Sequence, residues 1–272
     1  MNTATTLTDT RALTLHRKRA TRAELFLQDQ AADELQDRLG MVNRTFIDIA
    51  VVTPFADIWS DRIPGARIVP DTDTLDLEPA SCDLVIHALG LHWANDPVGQ
   101  LIQCRRALRP DGLFLGAALG GHTLDELRAC ISQAEVAVAG GLSPRVAPMG
   151  EIRDLGALLQ RAGLALPVAD SIALQTEYRD LLHLMHDLRA MGETNALDQR
   201  RRTVPPRELF SETARLYADN FSTPDRRVMA TFEIVFLTGW APDESQQKPL
   251  RPGSAQQRLA DALAVAERPL TD

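Results

Sequence analysis

Apolar and polar residues alternate along this chain in two different rhythms. Residues 22–39 place Leu25, Phe26, Leu35 and Leu39 among charged neighbours, the spacing of an amphipathic helix. A short β-prone run over 45–52 is ended by Pro54, and another short strand is expected over 66–69. Residues 82–89 are almost wholly apolar, as a strand buried on both faces of a parallel sheet should be. Asp96 and Pro97 then supply a cap and a first-turn proline for a helix through 108. Arg109, Pro110, Asp111 and Gly112 turn the chain into a second buried run over 113–119. Strand, helix and strand with short connections make a βαβ unit. Beyond it, helices are expected over 123–138, 152–162 (with Gly163 as its C-cap), 179–191 and 208–220, and strands over 168–178 and 228–240. The stretch 192–206 is polar and rich in arginine, so it reads as an exposed loop or lid.

The expected fold class is therefore α/β. Three segments are expected: an N-terminal helical piece over 1–44, an α/β domain over 45–241 with a lid around 140–220, and a tail over 242–272. That tail is extended and donor-rich over 244–255 and helical over 256–266. It reads either as a strip for a protein partner or as a clasp on its own domain.

Composition narrows the function classes. A net charge of -8 gives no global positive field for gripping phosphates, so no nucleic acid partner is expected. Basic residues gather at Arg11, Arg17, Lys18, Arg19 and Arg22. They could be a transit or membrane-surface patch, but Asp9, Glu24 and Asp29 interrupt them, and a solvated helix turn is the preferred reading. No run approaches the roughly 20 apolar residues of a membrane span, so no transmembrane segment is expected and the chain is placed in the cytoplasm. Cys82, Cys104 and Cys130 lack metal or disulfide spacing and are read as buried free thiols. His183 and His186 lie three apart on one helix without a third ligand, so no metal is expected.

Specific words sharpen the fold. Asp83 through Trp93, followed by Asn95 and Asp96, is similar to the fourth strand and following loop of class I methyltransferases, and Arg106 through Gly112 to the turn entering their fifth strand. Together with Leu119–Gly121, Ser143–Val146, Leu188–Gly192 and Gly239–Pro242, these words resemble the methyltransferase-like assembly factors of respiratory complex I. The best-known mitochondrial member of that family is a protein arginine hydroxylase, and the methyltransferase of biotin synthesis is more distant kin. The resemblance covers most of the chain from Arg17 to Leu263. It implies a three-layer Rossmann-like sheet, S-adenosylmethionine (SAM) as cofactor, and a complex I subunit as protein partner.

One departure from that plan bears on chemistry. The first strand should end in a glycine-rich turn that lets backbone N–H groups approach the cofactor. Here Asp48 fits the family's aspartate, but Ala50 and Thr53 stand where glycines belong, and Pro54 removes a donor. The interval from Asp48 to Asp83 is also short, since one βαβ unit takes about 30 residues. The sheet is therefore expected to be shortened between its first and fourth strands, with no further strand to carry the ribose-binding acid. The acidic run Asp71, Asp73, Asp76 and Glu78 resembles the stretch near the adenine, or is simply a hydrated loop.

The candidate cofactor residues are accordingly Asp48, Asp71, Asp73 and His87. His92 is a candidate general base and Trp93 a substrate contact, or both fix the strand-to-helix turn. Arg145 is a clamp for a carboxylate or phosphate, or one half of a buried ion pair. Gly120 and Gly121 lack the G-x-G-x-x-G pattern of a nicotinamide site. Two function classes follow: a non-methylating assembly factor, and an active methyltransferase or arginine hydroxylase.

Overall fold

The computed structural model describes residues 6–247. Chain through Pro242 forms one compact unit, and Asp243 onward a second. In the second unit, Asp243 Oδ1 accepts from the backbone N–H and the hydroxyl of Ser245 at 2.9 and 2.6 Å. The helix expected over 256–266, and all of the tail past 247, lie outside the described residues.

The elements run α1 (Thr10–Arg17), α2 (Phe26–Met41), β1 (Ile49–Val52), α3 (Ala56–Trp59), β2 (Arg67–Val69), β3 (Cys82–His87), α4 (Pro97–Ala107) and β4 (Leu108–Leu119). They continue with α5 (Asp125–Ala139), α6 (Ile152–Arg161), β5 (Ala165–Tyr178), α7 (Leu181–Ala190), α8 (Arg207–Asn220) and β6 (Val228–Trp240). The six strands form one sheet in the order β2-β1-β3-β4-β6-β5. β2, β1, β3 and β4 are parallel, and β6 runs antiparallel to both β4 and β5. This is the α/β plan of the class I methyltransferases.

Side-chain alternation along the strands divides the core in two. Val51 of β1, Leu84 and Ile86 of β3, Leu113 and Leu115 of β4, and Phe232 and Phe236 of β6 bury one face under α2, α5, α7 and α8. Their strand neighbours Ala50, Val52, Val85, Phe114, Val235 and Leu237 bury the other face under α4 and α6. Substantial burial on both faces is why the central strands read as near-continuous apolar runs. A small third cluster joins Ala12 and Leu13 of α1 to Trp93, Ala147, Ala196 and Leu197.

Local signals act where expected. Asp96 caps α4 by accepting from the Gly99 N–H at 2.8 Å, with Pro97 at the first position. The expected turn before 113 lies inside β4, which begins at Leu108 and bends at Asp111, where φ is +58°. The shortened interval also resolves differently in detail. One crossover is present, but the strand after it, β2, lies directly beside β1, pairing Ala50 with Arg67 and Val52 with Val69. Asp71 therefore stands just past the end of the strand next to β1, the place where the plan puts its ribose-binding acid. Of the basic residues expected on a solvated N-terminal helix turn, Arg11, Lys18, Arg19 and Arg22 are exposed and Arg17 is not. Leu13 is buried, and the Arg17 side chain is only 12% exposed because it reaches across to Asp71.

Candidate functional site

In open α/β sheets ligands bind past the carboxyl ends of the strands where the strand order reverses. Here the chain moves outward from β1 to β2 and returns to β3, so the crevice opens between Thr53 and the 87–90 segment. The turn leaving β1 is drawn inward. Thr53 is buried, its N–H donates to Val69 O at 2.9 Å, and its hydroxyl accepts the Phe55 N–H at 3.1 Å. Pro54 has no N–H. The three positions after β1 thus present no backbone donor to the crevice.

Opposite that turn, Arg17 at the end of α1 reaches both carboxylate oxygens of Asp71 from Nη1, at 3.0 and 2.9 Å. Gly90 makes room for this pair: a Cβ there would lie 2.5 Å from Asp71 Oδ2. His87 shares the strand face of Val85 and is completely buried against α4. Gln100 donates from Nε2 to Thr72 O at 3.1 Å, which orients its amide and leaves Oε1 to accept from His87 Nε2 at 2.7 Å. The His87 proton therefore sits on Nε2, Nδ1 is buried without a partner, and burial lowers the imidazole pKa. Gln103 ties the acidic run to α4 in the same way, donating to Asp73 O at 3.0 Å, while the Asp73 residue stays exposed. Arg17, Asp71, Asp73, Gly90, Trp93 and Gln100 border a hollow of about 370 Å³.

Of the four candidate cofactor residues, Asp71 and Asp73 border this hollow, and His87 lies buried behind it against Gln100. Asp48 is placed elsewhere. It precedes β1, pairs with Arg109 at 2.7 Å, and lies a strand length, about 13 Å, from the carboxyl end.

The single turn Leu91–Trp93 after β3 carries the other two candidates from that loop. Trp93 Nε1 donates to Glu193 Oε2 at 2.7 Å, and His92 Nε2 lies 3.3 Å from the same oxygen. The Leu119 N–H points at His92 Nδ1 at 3.4 Å, so the ring carries its proton on Nε2 and both nitrogens face protein groups. The His92 side chain is 1% exposed. Burial pushes the Glu193 carboxyl up. The adjacent His92 ring, the charge of Arg17 and the hydrogen bonds from His92 and Trp93 outweigh it and hold the group below the usual carboxylate range. Oε1 of Glu193 makes no hydrogen bond among the described residues.

Trp93 and Glu193 lie in the wall of an apolar hollow of about 260 Å³, whose other sides include Leu27, Ile131, Met149 and Phe232. Arg145 also lines it, but its guanidinium is committed: Nε and Nη2 donate to Glu135 Oε1 at 3.0 and 2.6 Å. Of its two readings, the ion pair is present, with the Glu135 side chain 2% exposed. A strap closes the region. Asn95 Oδ1 accepts from the Leu7 and Thr8 N–H groups at 2.9 and 2.8 Å, Asp9 N–H donates to Ala196 O, and Arg200 pairs with Asp9 at 2.9 Å. Sequence reasoning missed Arg17, Gln100 and Glu193. Glu193 directly follows the Leu188–Gly192 word, the one signal that could have singled it out. Among the described residues, no three metal-ligating side chains gather, and no helix is long and apolar enough to cross a membrane.

The family described as a methyltransferase domain matches residues 28–116, which span β1 through most of β4. The zebrafish protein "Arginine-hydroxylase NDUFAF5, mitochondrial" is 35% identical over 227 residues, 84% of this chain and 70% of its own length. This chain belongs to the NDUFAF5 family of class I methyltransferase-like proteins. The human member is 38% identical over 71% of this chain but only 56% of its own length, so this chain spans little more than half of it. The malonyl-[acyl-carrier protein] O-methyltransferase of Xylella fastidiosa is 35% identical over 66% of this chain and 58% of its own. The YcgJ protein of Bacillus subtilis aligns with a TM-score of 0.49 at 11% identity, covering 78% of this chain and 99% of that one. The zebrafish and human family members are named as mitochondrial, which overturns the cytoplasmic expectation.

Proposed function

We propose that this chain is a non-methylating member of its family that holds a protein segment during assembly or maturation of respiratory complex I. The observation that carries this reading is the turn after β1, where Thr53 N–H and Phe55 N–H are both engaged inside the protein and Pro54 has none. A SAM molecule in the usual pose would meet a wall without donors, while the Asp71 carboxylate is already held by Arg17. The neighbouring apolar hollow stays available for a partner's side chain. Isothermal titration with SAM tests the first half: no heat of binding is expected, and saturable micromolar binding overturns it. A pull-down from respiring cells tests the second, with a complex I subunit expected in the eluate; its consistent absence counts against the assembly role.

A second reading, an active arginine hydroxylase like the relatives so named, is favoured by one observation. Glu193 is an anionic carboxylate set in an apolar wall, with Oε1 free of hydrogen bonds among the described residues. An aliphatic stem ending in a guanidinium is complementary to that arrangement. An arginine-bearing peptide from a complex I subunit should then bind more tightly than the same peptide with norleucine in place of arginine, and equal affinities would remove this reading.

A further inference from the structure

A second cleft, of about 250 Å³, is lined by His16 and Arg19 from the end of α1 and the turn after it, Arg189 of α7, and Thr194 and Asn195 of the loop that follows. None of the five is acidic. Among the described residues, neither Arg19 nor Arg189 makes a hydrogen bond or ion pair through its side chain, although the chain as a whole carries a charge of -8. This differs from the two hollows already described, where Arg17 and Arg145 are each neutralised by a carboxylate.

At the back of the cleft His16 Nδ1 is buried without a partner. Burial lowers the imidazole pKa, and the charges of Arg19, Arg200 and Arg189 push it in the same direction. Only a backbone contact with Thr194 opposes them. Like charges are thus crowded around a ring that no acid among its named neighbours offsets, an arrangement that an anion would relieve. Thr194 and Asn195 also line the apolar hollow beside Glu193, so the cleft lies at the rim of that hollow.

The geometry points to an oxyanion site in this cleft: Arg19 and Arg189, beside the His16 ring, receive a phosphate or carboxylate group carried by the ligand whose apolar part enters the adjoining hollow. Two guanidinium forks suit the paired oxygens of either group, and the neighbouring His16 ring reports the charge that arrives. The donor set does not by itself choose between the two sources, and the probes below separate them.

The test is titration of the intact protein with inorganic phosphate and, separately, with acetate, followed by the His16 ring resonances. Saturable phosphate binding that moves those resonances is expected. Loss of one charge-assisted contact in Arg189→Gln or Arg19→Gln should weaken binding roughly tenfold. Arg201→Gln, on the exposed loop beyond, should leave it unchanged. Acetate binding as tightly as phosphate assigns the site to carboxylate-bearing ligands, and clear preference for phosphate assigns it to phosphorylated ones. Unmoved His16 resonances, or equal weakening by all three substitutions, overturn the site. Both cleft arginines are exposed, so neither replacement threatens the fold.

Discussion

Arg17 and Asp71, 54 residues apart in sequence, form an ion pair in which one guanidinium nitrogen serves both carboxylate oxygens while each side chain is about nine-tenths buried. It anchors α1 to the segment just past β2. Removing one partner strands the other charge away from water. Arg17→Ala should therefore cost on the order of 3–5 kcal/mol in urea unfolding. Adding Asp71→Asn to it should cost much less than the sum of the two single changes. Strict additivity would show that the pair is not coupled.

Gly90 faces that pair. In Gly90→Ala the new Cβ would press on Asp71 Oδ2 and pull the carboxylate off Arg17. A loss of about 1–3 kcal/mol is expected, as for other overpacked sites. In an Asp71→Ala background the obstructing oxygen is gone and the same change should be close to neutral. An equal penalty in both backgrounds would place the strain elsewhere.

Glu193 predicts a pH signature. Its folded pKa lies below the ordinary value near 4.3, so it contributes stability above that value and loses it as pH falls through the folded pKa. Glu193→Gln keeps an oxygen for Trp93 Nε1 but removes the charge that Arg17 and the His92 N–H favour. The variant should be less stable by roughly 1.5–3 kcal/mol at neutral pH. That difference should stay level down to about pH 5 and shrink below about pH 4. Urea midpoints measured across this range check it; a gap that persists unchanged at low pH contradicts the assignment.

The thiols offer a simpler measurement. Cys82, Cys104 and Cys130 are all buried, and burial pushes the Cys104 thiol up to about 12 and that of Cys130 up to about 11. With two thiols held protonated and all three out of reach of solvent, the folded protein should resist an aromatic disulfide reagent near pH 8. All three should react once denaturant is added. Rapid labelling of the native state would mean that the core opens locally.

Much of the fold was legible because it follows from short-range preferences. The long strand-prone run marked β6 at Val228–Trp240, the bounds it has in the structure, and the Asp96–Pro97 pair marked the start of α4. The absence of glycine after β1 could also be read directly, since it concerns residue types at adjacent positions. The site was only partly legible. His87, Trp93 and Asp71 were picked out, but what each one touches was not.

What the sequence determined by itself was the set of elements and the glycine-free turn, because backbone freedom and side-chain periodicity act within a few residues. The tertiary structure decided which polar groups become partners: Arg17 with Asp71, and Trp93 with Glu193 across 100 positions. An arginine in a basic cluster and a lone glutamate after a glycine carry no local mark of burial. Their roles arise only when packing removes water from around them, and each charge must then be met by a residue that the chain brings back from far away.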